Sequence, residues 1–247
     1  FKDAPVLGSL INPEASLGKG SLFELKWEEV GPLLKKALAG EKDDERSEMG
    51  VIAKGLVQAA ALLSSHFHLL ITNPPYLGER KQNPILREFI QKHLALGKAD
   101  LATSFILRGE RFVGNGTQCL VLPQNWLYQR SYLELRKWLL KADRLRFVNQ
   151  LGAGAFESTI GADVLLLFLS TDDKASLFSG FDLSQFEGAA EKSDYSKNHS
   201  ISSFNSQDIE SHGDSRIVLE YRNMQIDELE EYSSCYAGIL NGDTPRF

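Results

Sequence analysis

Apolar positions along this 247-residue chain change period several times, and each change predicts an element. From about Ser47 to Ser64, Val51, Ile52, Leu56, Ala59, Ala60 and Leu63 recur at three-and-four spacing, which predicts a helix. Before it, residues 24–39 carry a mixed helical pattern, and the charged stretch Glu41–Glu48 predicts an exposed turn. An apolar run from Phe67 to Ile71 predicts a buried strand over 67–72, cut off by Asn73, Pro74, Pro75 and Tyr76. Asn83-Pro84 then opens a helix, with Pro84 in its first turn and Ile85, Phe89 and Ile90 on its buried side. Asp100 caps the next, Leu101 to Phe112.

Gly114 and Gly116 mark a turn into a strand over Thr117–Leu122, and Ser131 caps a helix running to Leu140. That helix has Arg130, Arg136, Lys137 and Lys141 on its polar face. Leu145–Leu151 and Asp163–Leu169 are strands joined by a loop that holds Gly152, Gly154, Phe156 and Gly161. No crossover helix separates this last pair. The order therefore predicts an α/β fold: a mostly parallel sheet with an antiparallel final strand pair. After Ser170 the chain turns rich in Ser, Asp, Asn and Gly, so 171–215 predict long loops, followed by a strand at 216–222 and an acidic helix at 224–232. The expected organisation is a folded unit at 1–170 and a polar connecting region at 171–247.

Composition adds little to this picture, but charge distribution adds more. At 43% hydrophobic the chain can bury a core, and its longest apolar run, Val164–Leu169, is far too short to span a membrane. Cys119 and Cys235 give no disulfide framework, which makes a reducing cytoplasm the expected compartment. The net charge is −6, yet residues 77–150 hold 13 Lys and Arg against 6 Asp and Glu. A basic span next to a candidate site is what phosphate contact requires, although solvated helix faces also produce such excesses.

The candidate site is Asn73-Pro74-Pro75-Tyr76. Two prolines have no N–H and force extended backbone before them, so the tetrapeptide cannot continue a sheet or a helix. It presents rigid acceptors and an aromatic ring at the carboxyl end of a strand, where open α/β sheets place their sites. An ordinary strand-ending turn and a polyproline ligand are the competing readings. His66 and His68 share one strand face but lack partners at ligand spacing, so no metal site is assigned. Gly152-Ala-Gly154 is followed by a strand, not a helix, and is no dinucleotide loop.

Asn73-Pro74-Pro75-Tyr76 after an apolar strand resembles the catalytic motif of N6-adenine DNA methyltransferases. Further stretches occur in the order of that family: Phe1 to Ile11, Tyr76-Leu-Gly, Lys98-Ala-Asp-Leu, Leu122-Pro-Gln-Asn-Trp126-Leu, Leu151-Gly-Ala-Gly-Ala-Phe156-Glu and the closing Gly242-Asp-Thr-Pro-Arg-Phe247. Together they resemble the large methyltransferases of type IIG restriction-modification enzymes and of the BREX (phage growth limitation) systems.

That resemblance implies a class I, Rossmann-like sheet and S-adenosylmethionine as cofactor. It also implies double-stranded DNA as a partner, together with other restriction or phage-defence subunits. Asn73 and Pro74 would accept from the amine of a flipped adenine, Pro75 would stiffen the turn, and Tyr76 and Phe156 would pack on the base, with a core residue anchoring the Gly-rich loop as the alternative for Phe156. Asn73 would also face the cofactor. Arg80, Lys81, Lys98, Gln124, Trp126 and Arg130 are candidate DNA contacts, with a buried core position as the alternative for Trp126.

The resemblance has one gap: residues 1–65 contain no strand–glycine-loop–helix unit for the cofactor. The expectation is therefore the catalytic-motif half of an enzyme, inactive when isolated, leading toward a target-recognition domain. Methylation of RNA or of a protein glutamine, and a binding or scaffold module without activity, remain as alternatives.

Overall fold

The computed structural model describes residues 3–13, 32, 44–156, 163–171 and 176–219. The expected elements at 24–39 and 224–232, and the closing Gly242–Phe247 stretch, lie outside them. In chain order come a short turn of helix, α1 (Ala4–Leu7), a long helix α2 (Asp44–Ser64), strand β1 (Leu69–Thr72), helix α3 (Pro84–His93) and helix α4 (Leu101–Val113). Strand β2 (Thr117–Pro123), helix α5 (Leu133–Lys141) and strands β3 (Leu145–Gly152) and β4 (Val164–Ser170) follow. Then come strand β5 (Leu177–Asp182), helix α6 (Ala189–Asn198), strand β6 (Ser202–Asn205) and helix α7 (Ser206–Ser211).

Two of the three expected start signals hold; Ser131 does not cap, because α5 begins after Tyr132 with no side-chain cap bond. Asn83 Oδ1 accepts from Leu86 N at 2.9 Å, and Asp100 Oδ1 accepts from Ala102 N at 2.8 Å, so each satisfies an orphan amide of its helix. The charged stretch before Gly50 is not all turn, because α2 already begins at Asp44. Glu45, Arg46 and Met49 are good helix formers with no glycine or proline among them.

The six strands form one sheet in the order β1-β2-β4-β3-β5-β6. β1 pairs parallel with β2, and β3 with β5; β4 runs antiparallel to both β2 and β3. Four strands thus share a direction, and β4 and β6 oppose it. The reversed strand lies inside the sheet, between β2 and β3, where Val164, Leu165, Leu167 and Leu169 are all buried. An apolar strand without charge suits a position paired on both sides.

Several expectations need correction, among them the one for Ile85, which is 46% exposed on α3 while Leu86 and Ile90 are buried. First, β1 is an edge strand rather than a buried one: among the described residues it pairs only with β2, leaving Leu69 54% and Ile71 73% exposed. Second, 171–215 are not long loops. β5 adds to β3 and β6 to β5, so the sheet continues through the compositional change at 170. Phe178 and Phe181 supply the burial there, and Phe178 stacks on Phe204 at 5.5 Å. Third, residues 216–219, where a strand was expected, form none; Ile217 N instead donates to Leu127 O.

The main core packs Ile106 of α4 and Leu135 and Leu139 of α5 with Leu120, Leu122, Leu165 and Leu167 of the sheet. A second cluster joins Leu7 and Leu10 to Leu86, Ile90, Leu94 and Leu101. No described helix is long and apolar enough to cross a membrane.

Arg136, expected on the polar face of α5, is 1% exposed. Its guanidinium donates to the carbonyls of Trp126, Gln129, Asp214 and Ser215 at 2.6–3.1 Å. A planar fork with five donors can close several carbonyl ends at once, which explains an arginine inside the core. Replacing it by the equally long but apolar methionine, Arg136→Met, leaves four carbonyls without that donor. Urea unfolding of the variant is expected to show a loss of about 3 kcal/mol.

Candidate active site

The site begins where β1 stops. Asn73 and Pro75 are exposed, Pro74 is buried, and Tyr76 is half-buried with its ring against the main core. The Tyr76 hydroxyl lies 3.1 Å from Asn73 Oδ1 and 3.3 Å from the Val121 carbonyl, and it donates its single proton to one or the other. When it donates to Asn73 it orients that carboxamide and uses one of the oxygen's two lone pairs, leaving the second open. Burial, and after it the charge of Asp100, raises the Tyr76 pKa above the usual phenol value, so the hydroxyl stays a donor at neutral pH.

The segment after the motif is tied down from two sides. Leu77 N donates to Asp100 Oδ1 at 3.2 Å, Leu101 N to Leu77 O at 3.0 Å, and Glu79 N to Ala99 O at 3.1 Å. Gln82 Nε2 donates to Leu77 O as well. Arg87 then fastens the 79–82 turn through the carbonyls of Glu79, Arg80 and Gln82.

Because β1, β2 and β3 run in the same direction, their carboxyl ends share one edge of the sheet. The motif follows β1, Gln124–Leu127 follows β2, and the Gly152–Phe156 loop follows β3. Three strand spacings of about 4.8 Å separate the first end from the last, or roughly 14 Å. Phe156 is 49% exposed on its loop. Gly152 and Gly154 hold φ of 66° and 69°. A side chain on Gly152 would meet Ser184 Cα at 2.7 Å, so glycine is required for backbone conformation and for space alike.

Of the expected DNA contacts, Arg80, Lys81, Lys98 and Arg130 are exposed. Trp126 is fully enclosed, the buried core position given as its alternative, and Gln124 is 9% exposed. The basic excess of 77–150 is also partly internal: Arg87, Arg108, Arg136 and Arg144 spend their donors on carbonyls or on Glu110.

Sequence reasoning missed two groups. Tyr132 is 4% exposed, and burial, followed by the charge of Asp100, pushes its pKa up to about 12. The buried Lys192 of α6 donates through Nζ to Ala153 O and so supports the Phe156 loop from a stretch whose composition suggested no structure. A tyrosine just ahead of an apolar helix was a weak signal for the first; nothing local pointed to the second.

The fold is similar to that of solved restriction-modification proteins. A nuclease-deletion mutant of the Type ISP restriction-modification enzyme LlaGI, in complex with a DNA substrate mimic, matches 71% of this chain and 17% of its own at a TM-score of 0.50 and 17% identity. A component of a type I restriction-modification system matches 68% of this chain and 41% of its own at 0.50 and 14%. At those identities the likeness is one of fold.

Residues 21–156, over half the chain, match the Eco57I restriction-modification methylase family, and the chain belongs to it. Adenine-specific methyltransferase BrxX of Escherichia coli O9:H4 (strain HS) is 32% identical over 166 residues, or 65% of this chain. Adenine-specific methyltransferase PglX of Lacticaseibacillus casei (strain Zhang) is 28% identical over 163 residues, or 64% of this chain. The chain spans 13% of the length of each of these two relatives.

Tyr76→Phe keeps the ring and deletes the proton that Asn73 Oδ1 and the Val121 carbonyl compete for. The expected result is a shifted and broadened Asn73 side-chain amide signal by NMR, unchanged backbone signals in β1, and a stability loss of about 1 kcal/mol.

Proposed function

We propose that this chain carries the target-base end of a DNA adenine-N6 methyltransferase active in restriction-modification or phage defence. The observation that carries the reading is the pair Asn73 and Tyr76, hydrogen-bonded to each other at an exposed strand end in a chain of this family. A flipped adenine donates its exocyclic amine to Asn73 Oδ1 and to the Pro74 carbonyl. These acceptors keep electron density on N6 and stabilise the positive charge that develops there as it is methylated. The methylated amine is acidic and loses its proton without a dedicated base. The face of Tyr76, and Phe156 across the edge, offset part of the few kcal/mol that unstacking the base costs. Arg80, Lys81, Lys98 and Arg130 contact phosphates.

S-adenosylmethionine supplies the methyl group in this chemistry. The described residues do not fit it by themselves: no described strand runs through a glycine-rich loop into a helix, the arrangement that holds such cofactors in α/β sheets. The edge position of β1, with Leu69 and Ile71 uncovered, supports the reading that the rest of the sheet and the cofactor loop are supplied elsewhere in the polypeptide. On that reading the isolated chain is inactive.

Asn73→Ala in the full-length enzyme tests the assignment. N6-methyladenine in DNA from expressing cells, measured by mass spectrometry, is expected to fall by about 100-fold or more. Loss of a methyl mark from RNA or from protein glutamine, with DNA unaffected, would move the substrate to those classes. Retained methylation of every class would refute the assignment.

A further inference from the structure

The cap of α4 does more than cap. Asp100 is 8% exposed, and among the described residues it forms no ion pair. A helix cap needs one bond, the one from Ala102 N, which Asp100 Oδ1 accepts at 2.8 Å. The same oxygen takes a second from Leu77 N, 23 positions away and next after Tyr76. Backbone bonds on either side, Leu101 N to Leu77 O and Glu79 N to Ala99 O, hold the two segments in register. Asp100 thus joins the first turn of a 13-residue helix, anchored in the core by Ala102 and Ile106, to the first residue beyond the motif.

This join matters because of what stands on its other side. Pro74 and Pro75 have no N–H, so the motif cannot be pinned by a sheet ladder of its own. β1, which leads into it, is four residues long and paired along one edge among the described residues. A shift of about 1 Å in the acceptors is enough to cost a rate of order 100-fold.

We propose that Asp100 is a positioning residue for adenine methylation: its carboxylate locks Leu77, and through it the Asn73–Tyr76 acceptors, to the amino end of α4. This rests on the methyltransferase reading above. Asp100 does not touch the base; it acts through the backbone at Leu77.

Three substitutions in the full-length enzyme separate this role from capping. Asp100→Asn keeps an oxygen that can accept from both amides, and it is expected to preserve kcat to within about threefold. Asp100→Ser still caps the helix, but its shorter side chain does not reach Leu77. Its kcat is expected to fall about 30-fold, with KM for DNA and the melting temperature near wild type. Asp100→Ala should lose both kcat and thermal stability.

A serine variant with wild-type kcat would overturn the proposal, as would an asparagine variant as slow as the alanine one. Should the serine variant not fold, hydrogen exchange at the Leu77 amide of the wild-type enzyme decides: protection of about 100-fold or more supports the lock, and exchange at the rate of an open amide overturns it. Absence of N6-methyladenine with the wild-type enzyme would refute the methyltransferase reading instead, so the two failures are distinguishable.

Discussion

Pro74 and Pro75 have no N–H to offer a neighbouring strand, so the chain leaving β1 has to be held by contacts drawn from elsewhere. Those contacts account for much of the local architecture. Tyr76 reaches back to Asn73 and across to the Val121 carbonyl of β2. Leu77 is bracketed by Asp100 and Leu101 at the start of α4, and Gln82 and Arg87 close the turn beyond it. The result is a rigid, exposed set of acceptors on a strand that is itself poorly supported. On the proposed function rigidity is useful, because acceptors aimed in advance at a developing charge cost no reorganisation during reaction.

The arginines show why a charge count is a weak guide to a binding surface. The excess of Lys and Arg in 77–150 suggests a phosphate-contacting face, and Arg80, Lys81, Lys98 and Arg130 are among those that stay exposed. Arg108 and Arg136, however, lie in the interior, each gathering carbonyls from segments far apart in sequence. Arg108 joins Ser9, Ile11 and Leu63, and Arg136 joins Trp126 to Ser215. They do for irregular backbone what a ladder does for strands, satisfying buried acceptors that would otherwise be costly.

The sheet also outlasts the polar composition that seemed to end it. β5 has only six residues and β6 four, but each pairs along an existing edge, and the rings of Phe178, Phe181 and Phe204 fill the space behind them. Lys192 then reaches from α6 to the loop that carries Phe156. A stretch that looked like a connector is part of what shapes the far end of the site edge.

By itself the sequence determined the elements whose signals are local. These are the helices opened by Asn83 and Asp100, the apolar strands β2 and β4, the reversal of the last expected strand, and the double-proline motif. Periodicity, capping chemistry and the missing proline N–H groups act within a few residues, so they can be read without a fold. Tertiary structure alone decided that β1 is an edge, that Trp126 and Arg136 are interior, and that β5 and β6 extend the sheet. It also decided that Asp100 serves two segments at once. Each of these depends on which distant segment arrives next to which, and a carboxylate oxygen with two amide partners 23 and 2 residues away gives no local sign of the farther one.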